Sequence, residues 1–208
     1  MDNNSVVIIC ITGYSGSGKS RASNILENIL PNAYCIHCDE YLPDYLIQFS
    51  KETERIFREP VMTNDGLSYF SQFEQKLTAE VWKEFYDIFH PFVNVKVVED
   101  INTIVLEHRI LFMIVEYMAL PSLDIWERAD CKLLVRTDNH ELQLDLLSKR
   151  KDFSCNKKTA ENRHFAVKEY IEGVAECVDY TVSNNYDENF DYEIKNIASQ
   201  IMKIYGVN

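Results

Sequence analysis

Apolar residues along this chain change period several times, and each change marks an element. Ser5-Val6-Val7-Ile8-Ile9-Cys10-Ile11 is a continuous apolar, β-branched run, the pattern of a strand covered on both faces. The period then becomes helical: Ala22, Ile25, Leu26, Ile29 and Leu30 follow i, i+3, i+4, i+7, i+8, and Pro31 stops the run. Residues 32–38 read as a second strand, ending at Asp39-Glu40. Pro43 and Asp44 mark a turn or a helix start. Residues 50–67 are charged and carry Pro60 and Asn64-Asp65-Gly66, so they read as irregular.

Phe70, Phe73, Leu77, Val81, Trp82, Phe85, Ile88 and Phe89 return to helical spacing, up to Pro91. This aromatic stripe fits a core face better than a base-stacking platform. Val93, Val95 and Val97 alternate with Asn94 and Lys96, the turn-like Asp100-Ile101-Asn102 follows, and Thr103–Glu107 comes next; this predicts a β-hairpin. Leu111–Val115, ending at Glu116, is a buried strand. A short helical piece after Pro121 leads to a further strand at Cys131–Val135. Asp138 or Asn139 caps a helix carrying Leu142, Leu146 and Leu147. A helix with Phe165, Ile171 and Val174 precedes a fifth strand, Val178–Val182. Asn184-Asn185 makes a loop, and a last helix presents Ile194, Ile197, Ile201 and Ile204. Strands alternating with helices imply a three-layer α/β fold with a five-stranded parallel sheet.

The 208 residues suit a single domain spanning 1–208, with an excursion over about 41–109 and a lid over about 149–163. The formal net charge of −12 argues against a nucleic-acid partner, which would require a basic face. The N-terminus is polar and its apolar run breaks at Thr12-Gly13, so no signal peptide is expected. Glu107, His108, Arg109 and Glu116 interrupt the longest apolar region, so no membrane partner is expected. Six cysteines without a paired framework fit a reducing, cytoplasmic setting. Cys35 and Cys38 form a C-x-x-C. A redox or zinc role would need a second ligand pair, which is missing; an odd offset on a strand instead sends the two thiols to opposite faces.

The chemistry is carried by Gly13-Tyr14-Ser15-Gly16-Ser17-Gly18-Lys19-Ser20, which reads G-x-x-x-x-G-K-S between the first strand and the first helix. That is the phosphate-binding P-loop. Its glycines let successive N–H groups turn inward onto phosphate oxygens, Lys19 supplies a mobile cation, and Ser20 offers a hydroxyl to Mg²⁺. Arg21 follows directly and joins the candidate nucleotide contacts. Later comes a basic cluster, Lys149, Arg150, Lys151, Lys157, Lys158 and Arg163, in an otherwise acidic chain. It reads as a lid closing over phosphates, against the plainer reading of a solvated helix end.

In order, GYSGSGKS, CDEY, the hairpin, FMIVEY, LDIWERADCKLLV, the basic lid and VDYTVSNN resemble the uridine kinase and nicotinamide riboside kinase group over nearly the whole chain. The resemblance implies ATP-dependent phosphoryl transfer with Mg²⁺ to a hydroxyl of a nucleoside or nucleoside-like small molecule. It makes Asp39 the general base. It gives Lys19, Arg150 and Arg163 the task of stabilising charge on the transferring group. It assigns the metal to Ser20 with Asp39 or Glu116, with Glu107 as a rival acid to Glu116. The lid's Arg-Asp pair would be Arg150-Lys151-Asp152.

The family's Gly after the metal-side Glu is Tyr117 here. Where riboside kinases place an Asp after the turn at Gly66, this chain has Ser71 nearby. Those departures bear on the acceptor and leave ATP binding untouched. The lid followed by Asp179-Tyr180-Thr181-Val182 is also similar to dephospho-coenzyme A kinases. A non-catalytic ATP-binding regulator is the third reading. A GTPase is disfavoured, because Asn156-Lys157-Lys158-Thr159 lacks the Asp of a guanine-reading N-K-x-D. A homo-oligomer is compatible with the sequence and not specified by it.

Overall fold

The computed structural model describes residues 6–58, 60–61, 77–149 and 157–207. Strand β1 (Val7–Thr12) leads through the P-loop into α1 (Lys19–Ile29) and then β2 (Ala33–His37). A 3₁₀ turn, Cys38–Tyr41, passes into α2 (Leu42–Gln48) and α3 (Ser50–Phe57). The long α4 (Ala79–Glu107) precedes β3 (Phe112–Glu116), and a single turn, α5 (Asp124–Glu127), precedes β4 (Cys131–Arg136). Then come α6 (His140–Ser148), α7 (Lys157–Glu172), β5 (Tyr180–Ser183) and α8 (Asn189–Ile204).

The five strands form one parallel sheet in the order β2-β3-β1-β4-β5. The chain therefore goes to one side of β1 for β2 and β3, and to the other for β4 and β5. The carboxyl end of β1 is the switch point, where such sheets open a crevice for ligands. Strand residues divide by parity between two cores. Cys10, Met113 and Val115 face α4, while Ile9, Ile11, Phe112 and Ile114 face α1 and α8. Cys38 packs in the first core and Cys35 against the second, so the C-x-x-C pair is divided between the faces.

The largest departure from the sequence reading is the hairpin. Residues 93–107 are the second half of α4, which runs unbroken through Pro91. The valines satisfy both periods. Val93, Val97 and Ile101 at i, i+4, i+8 are buried, whereas Val95, which a strand would place beside them, is 55% exposed. Proline removes one helical hydrogen bond at a cost of about 3 kcal/mol. Trp82, Phe85, Tyr86, Phe89 and His90 are buried before it, and Val93, Val97 and Ile101 after it. At about 1.5–3 kcal/mol per large apolar side chain, that burial outweighs the proline. Thr78 caps the start of α4 through the Val81 amide. Leu77, Trp82, Phe85 and Phe89 of the aromatic stripe are core, as their spacing implied, while Phe70 and Phe73 lie outside the described residues.

Smaller corrections follow the same logic. Residues 50–57 are not irregular but form α3, because Thr53, Ile56 and Phe57 share a buried face. In α6 the inward residues are Leu144 and Leu147, with Leu146 turned outward. Phe165 and Ile204 lie on exposed faces of α7 and α8. Asn139, rather than Asp138, caps α6, accepting from the Leu142 amide at 3.0 Å. No described helix is long and apolar enough to cross a membrane.

The helical reading of 93–107 has a direct test. Val97→Ala should destabilise the fold by about 2 kcal/mol through two lost methyl groups and the void they leave. Val95→Ala should stay within about 0.5 kcal/mol. Equal losses in denaturant titrations would instead point to a shared strand face.

Candidate nucleotide-binding site

The P-loop turns at the carboxyl end of β1, and backbone sterics decide its residues. Gly13 has φ +146°, and a Cβ there would drive into the Val135 carbonyl oxygen of β4. Gly18 has φ +106° and lies under the Asn184 side chain. Side chains at either position would close the loop's approach to its neighbours. The loop then opens α1, whose first residues are Lys19 and Ser20.

Three carbonyls in a row are drawn outward from this loop. Ser15 O accepts from Gln143 Nε2 at 2.8 Å and from His164 Nε2 at 3.1 Å. Gly16 O accepts from the Tyr186 hydroxyl at 3.1 Å, and Ser17 O from Asn184 Nδ2 at 2.9 Å. Across a trans peptide the C=O and the following N–H point opposite ways. Outward Ser15 and Ser17 carbonyls therefore turn the Gly16 and Gly18 amides into the concavity, as an anion cradle requires. The Ser17 amide is engaged by Tyr14 O at 3.1 Å.

Glu116, the last residue of β3, meets this cradle from the side. One carboxylate oxygen lies 3.6 Å from Lys19 Nζ; the other accepts from the Ser20 hydroxyl at 3.0 Å and lies 2.8 Å from His37 Nδ1. Lys19 also donates to Tyr14 O at 3.4 Å. Glu116 and Lys19 are both buried. Burial pushes the Glu116 carboxyl up, but the His37 hydrogen bond, Lys19 and the Ser20 hydroxyl outweigh it and hold the group below its ordinary value. The Cys35 side chain and the Glu116 carboxylate raise His37 to about 10, against the opposing effect of burial.

Asp39 lies just beyond the end of β2, in the 3₁₀ turn, and opens to solvent. Desolvation by the protein around it raises its carboxyl above the ordinary value; Lys19 opposes that, Glu116 adds to it, and Arg163 and His37 oppose it. Arg163 is buried on α7, its guanidinium 5.1 Å from the centre of the Trp82 ring. Asp39, Lys19, Ser20, Glu116 and Arg163 thus converge on one end of the sheet.

Other candidates are placed elsewhere. Glu107 ends α4 just before β3 begins, toward the amino ends of the parallel strands, whereas Glu116 ends β3 and is the acid beside the P-loop. Arg21 is turned toward α8, binding Asp191 through two nitrogens at 2.7 and 2.9 Å. Tyr117 is fully buried and packs edge-on against Phe89 and His90 of α4. Arg150, Lys151, Asp152 and Ser71 lie outside the described residues, as does the central part of the proposed lid. At its described ends, Lys149 pairs with Asp145 and Lys157 with Glu141.

His37, Gln143, His164, Asn184 and Tyr186 escaped the sequence reading. Asn184 carried a usable signal, being a polar residue just past a parallel strand, on the crevice side. His37, at the end of β2, carried the same signal. Gln143 and His164 carried none, since each lies within an ordinary helical run.

The Glu116–His37 pair makes stability depend on pH in a fixed direction. A His raised from 6.5 to about 10 contributes fully below 6.5 and loses that contribution as pH climbs through 10. A depressed Glu contributes above its ordinary 4.5 and loses it on acidification. The stability gap between the native chain and His37→Gln should therefore be widest between those ordinary values and close as pH approaches 10. Chemical denaturation across that range measures it; a gap independent of pH would contradict the pairing.

No protein-family model matches the sequence, and no curated protein sequence matches it. Solved structures do share the architecture. TT1252 from Thermus thermophilus superposes with a TM-score of 0.66 at 20% identity, covering 94% of this chain and 97% of its own. A dephospho-CoA kinase from Campylobacter jejuni gives a TM-score of 0.55 at 18% identity, covering 93% and 96%. At these identities the likeness establishes the fold alone: a five-stranded parallel α/β architecture shared with both proteins over nearly its whole length.

Proposed function

We propose that this chain transfers the γ-phosphoryl group of ATP to a hydroxyl of a small molecule. The observation that carries the reading is the convergence of the buried pair Lys19 and Glu116 with the Ser20 hydroxyl, with Asp39 beside them. The fold shared with a dephospho-CoA kinase supports it.

The inward amides of the loop bind and orient the phosphates, and Lys19 balances charge on the transferring group. The acceptor's oxygen attacks the γ-phosphorus. Its proton passes to a carboxylate oxygen of Asp39, the new P–O bond forms as the bond to the bridging β–γ oxygen breaks, and ADP leaves. A carboxyl raised above its ordinary value is better matched to that proton transfer. Arg163 lies within electrostatic reach of Asp39 and can stabilise the same charge.

The donor set also fits Mg²⁺, which takes hard oxygen ligands and one or two carboxylates together with phosphate. Here a hydroxyl, Ser20, already meets a carboxylate, Glu116, at 3.0 Å. Ser20 and Glu116, with Asp39, would hold the ion, which when bound with ATP offsets phosphate charge.

For the acceptor, we favour a nucleoside or nucleoside-like alcohol, on the ordered motifs that resemble the uridine kinase group. A dephospho-coenzyme A-like acceptor is the second reading, favoured by the structural likeness to the Campylobacter enzyme. The reaction would run in the cytoplasm.

Coupled ADP release across a panel of nucleosides and other alcohols, including dephospho-coenzyme A, tests the reading. Asp39→Asn should bind ATP near normally yet lose about 10²–10⁴ in turnover, because an amide keeps the shape but accepts no proton. Glu40→Gln should be far milder. If the Asp39→Asn chain phosphorylates at the native rate, Asp39 is not the base. Saturable ATP binding with no ADP released, whichever acceptor is offered, would leave the chain a nucleotide binder.

A further inference from the structure

The helices on either side of residues 150–156 converge on a single atom of the P-loop. Gln143 comes from the first turn of α6 and His164 from the middle of α7, and both reach the Ser15 carbonyl oxygen, at 2.8 and 3.1 Å. The two helices are also joined to each other. Leu144 and Leu147 of α6 and Ala160 of α7 form a small core of their own. Leu147 packs directly against Gly16, where an added Cβ would come within 2.7 Å of its Cγ. The pair behaves as one packed body touching the loop at two adjacent residues.

We propose that Gln143 and His164 form a two-armed clamp through which the α6–α7 pair sets the nucleotide affinity of the phosphate cradle. They are positioning residues and touch no phosphate themselves. The inference rests on the reading of Gly13–Ser20 as an ATP cradle. The peptide plane between Ser15 and Gly16 is the lever. Holding its carbonyl outward holds the Gly16 amide inward, where it is one of the donors an anion meets. Released, that plane is free to rotate, since Gly16 at φ +78° tolerates alternatives that other residues would resist.

The chemistry of His164 suits the task. A carbonyl only accepts, so His164 Nε2 must carry the proton, and the neutral ring then leaves Nδ1 bare. Nδ1 is buried and has no hydrogen-bond partner among the described residues. Burial, with His140, Arg163 and Lys19 adding to it, lowers His164 to about 3 against the pull of the Ser15 carbonyl. The ring is held by a tilted contact with Tyr14 of the loop, with centroids 4.8 Å apart and an interplanar angle of 34°. Gln143 is oriented in turn by His140, whose Nδ1 lies 3.2 Å from its Oε1, leaving its amide nitrogen for Ser15. Neither arm titrates into a different role near neutrality, so the clamp responds to where the helices lie.

Calorimetric titration of ATP–Mg²⁺ into the native chain, Gln143→Leu, His164→Leu, the double variant and His164→Gln tests this, with thermal melts to show that each is folded. Each single Leu variant should bind about tenfold more weakly, the scale of one lost buried hydrogen bond to a positioned group. The double variant should lose more than the product of the single losses, because one remaining arm still partly restrains the carbonyl and no arm leaves it free. His164→Gln, whose amide nitrogen can occupy the Nε2 position, should recover most of the His164→Leu loss. Losses that simply multiply, or a Gln variant as weak as Leu, would reduce both residues to ordinary packing and overturn the clamp. Native affinity in both Leu variants would overturn it as well, leaving the cradle standing. Absence of ATP binding by the native chain would overturn the cradle reading and the clamp together.

Discussion

A buried carboxylate is costly unless it is paired and hydrogen-bonded, and that constraint organises the working end of this molecule. Glu116 lies at the end of a strand that is buried throughout its length. Its charge is tolerable because two elements bring it three partners: α1 supplies Lys19 and Ser20, and β2 supplies His37. The parallel register makes the meeting possible. Glu116 is level with Ile11 on one side and His37 on the other, so the ends of three adjacent strands arrive together. The groups that satisfy Glu116 include the two that the P-loop reading assigns to phosphate and metal. Stability and the proposed chemistry draw on the same contacts, and a nucleotide would compete for Lys19 and Ser20.

The phosphate cradle obeys a second constraint, the planarity of the peptide bond. Side chains from α6, α7 and the segment after β5 draw successive carbonyls away from the concavity. The loop's shape is thus specified by residues well over a hundred positions away in sequence. Glycine makes the loop's conformation sterically possible, and the remote side chains select it.

Local patterns in the sequence revealed much of this architecture. β1 and α1 flank an eight-residue motif whose glycines do adopt positive φ, and the apolar runs at β3 and β4 are short and buried, as continuous hydrophobic strands should be. Asp39 and Glu116 could be found because acidic residues at the carboxyl ends of parallel strands face the crevice. The second half of α4 reads as a strand because Val93 and Val97, four residues apart, fit periods of 2 and 3.6 alike, and Val95 between them completes an alternation that the helix turns outward. Pro91 carried too much weight as a stop, when burial on both sides of it carries the helix through. Arg21 has the right position in sequence, yet its guanidinium is committed to Asp191. Gln143 and His164 were illegible for a different reason: nothing local distinguishes a helical polar residue that reaches a distant carbonyl from one that faces water. Their function exists only in the tertiary structure.

The proposed chemistry depends first on the loop's affinity for a nucleoside triphosphate. Titration of ATP–Mg²⁺ into the native chain and into Lys19→Ala, with circular dichroism on both, measures it. The account predicts saturable binding by the native chain, and a loss of about tenfold or more in the variant at unchanged helicity, since Lys19 supplies a charge-assisted contact within the loop. Unchanged affinity in a folded Lys19→Ala chain would contradict it.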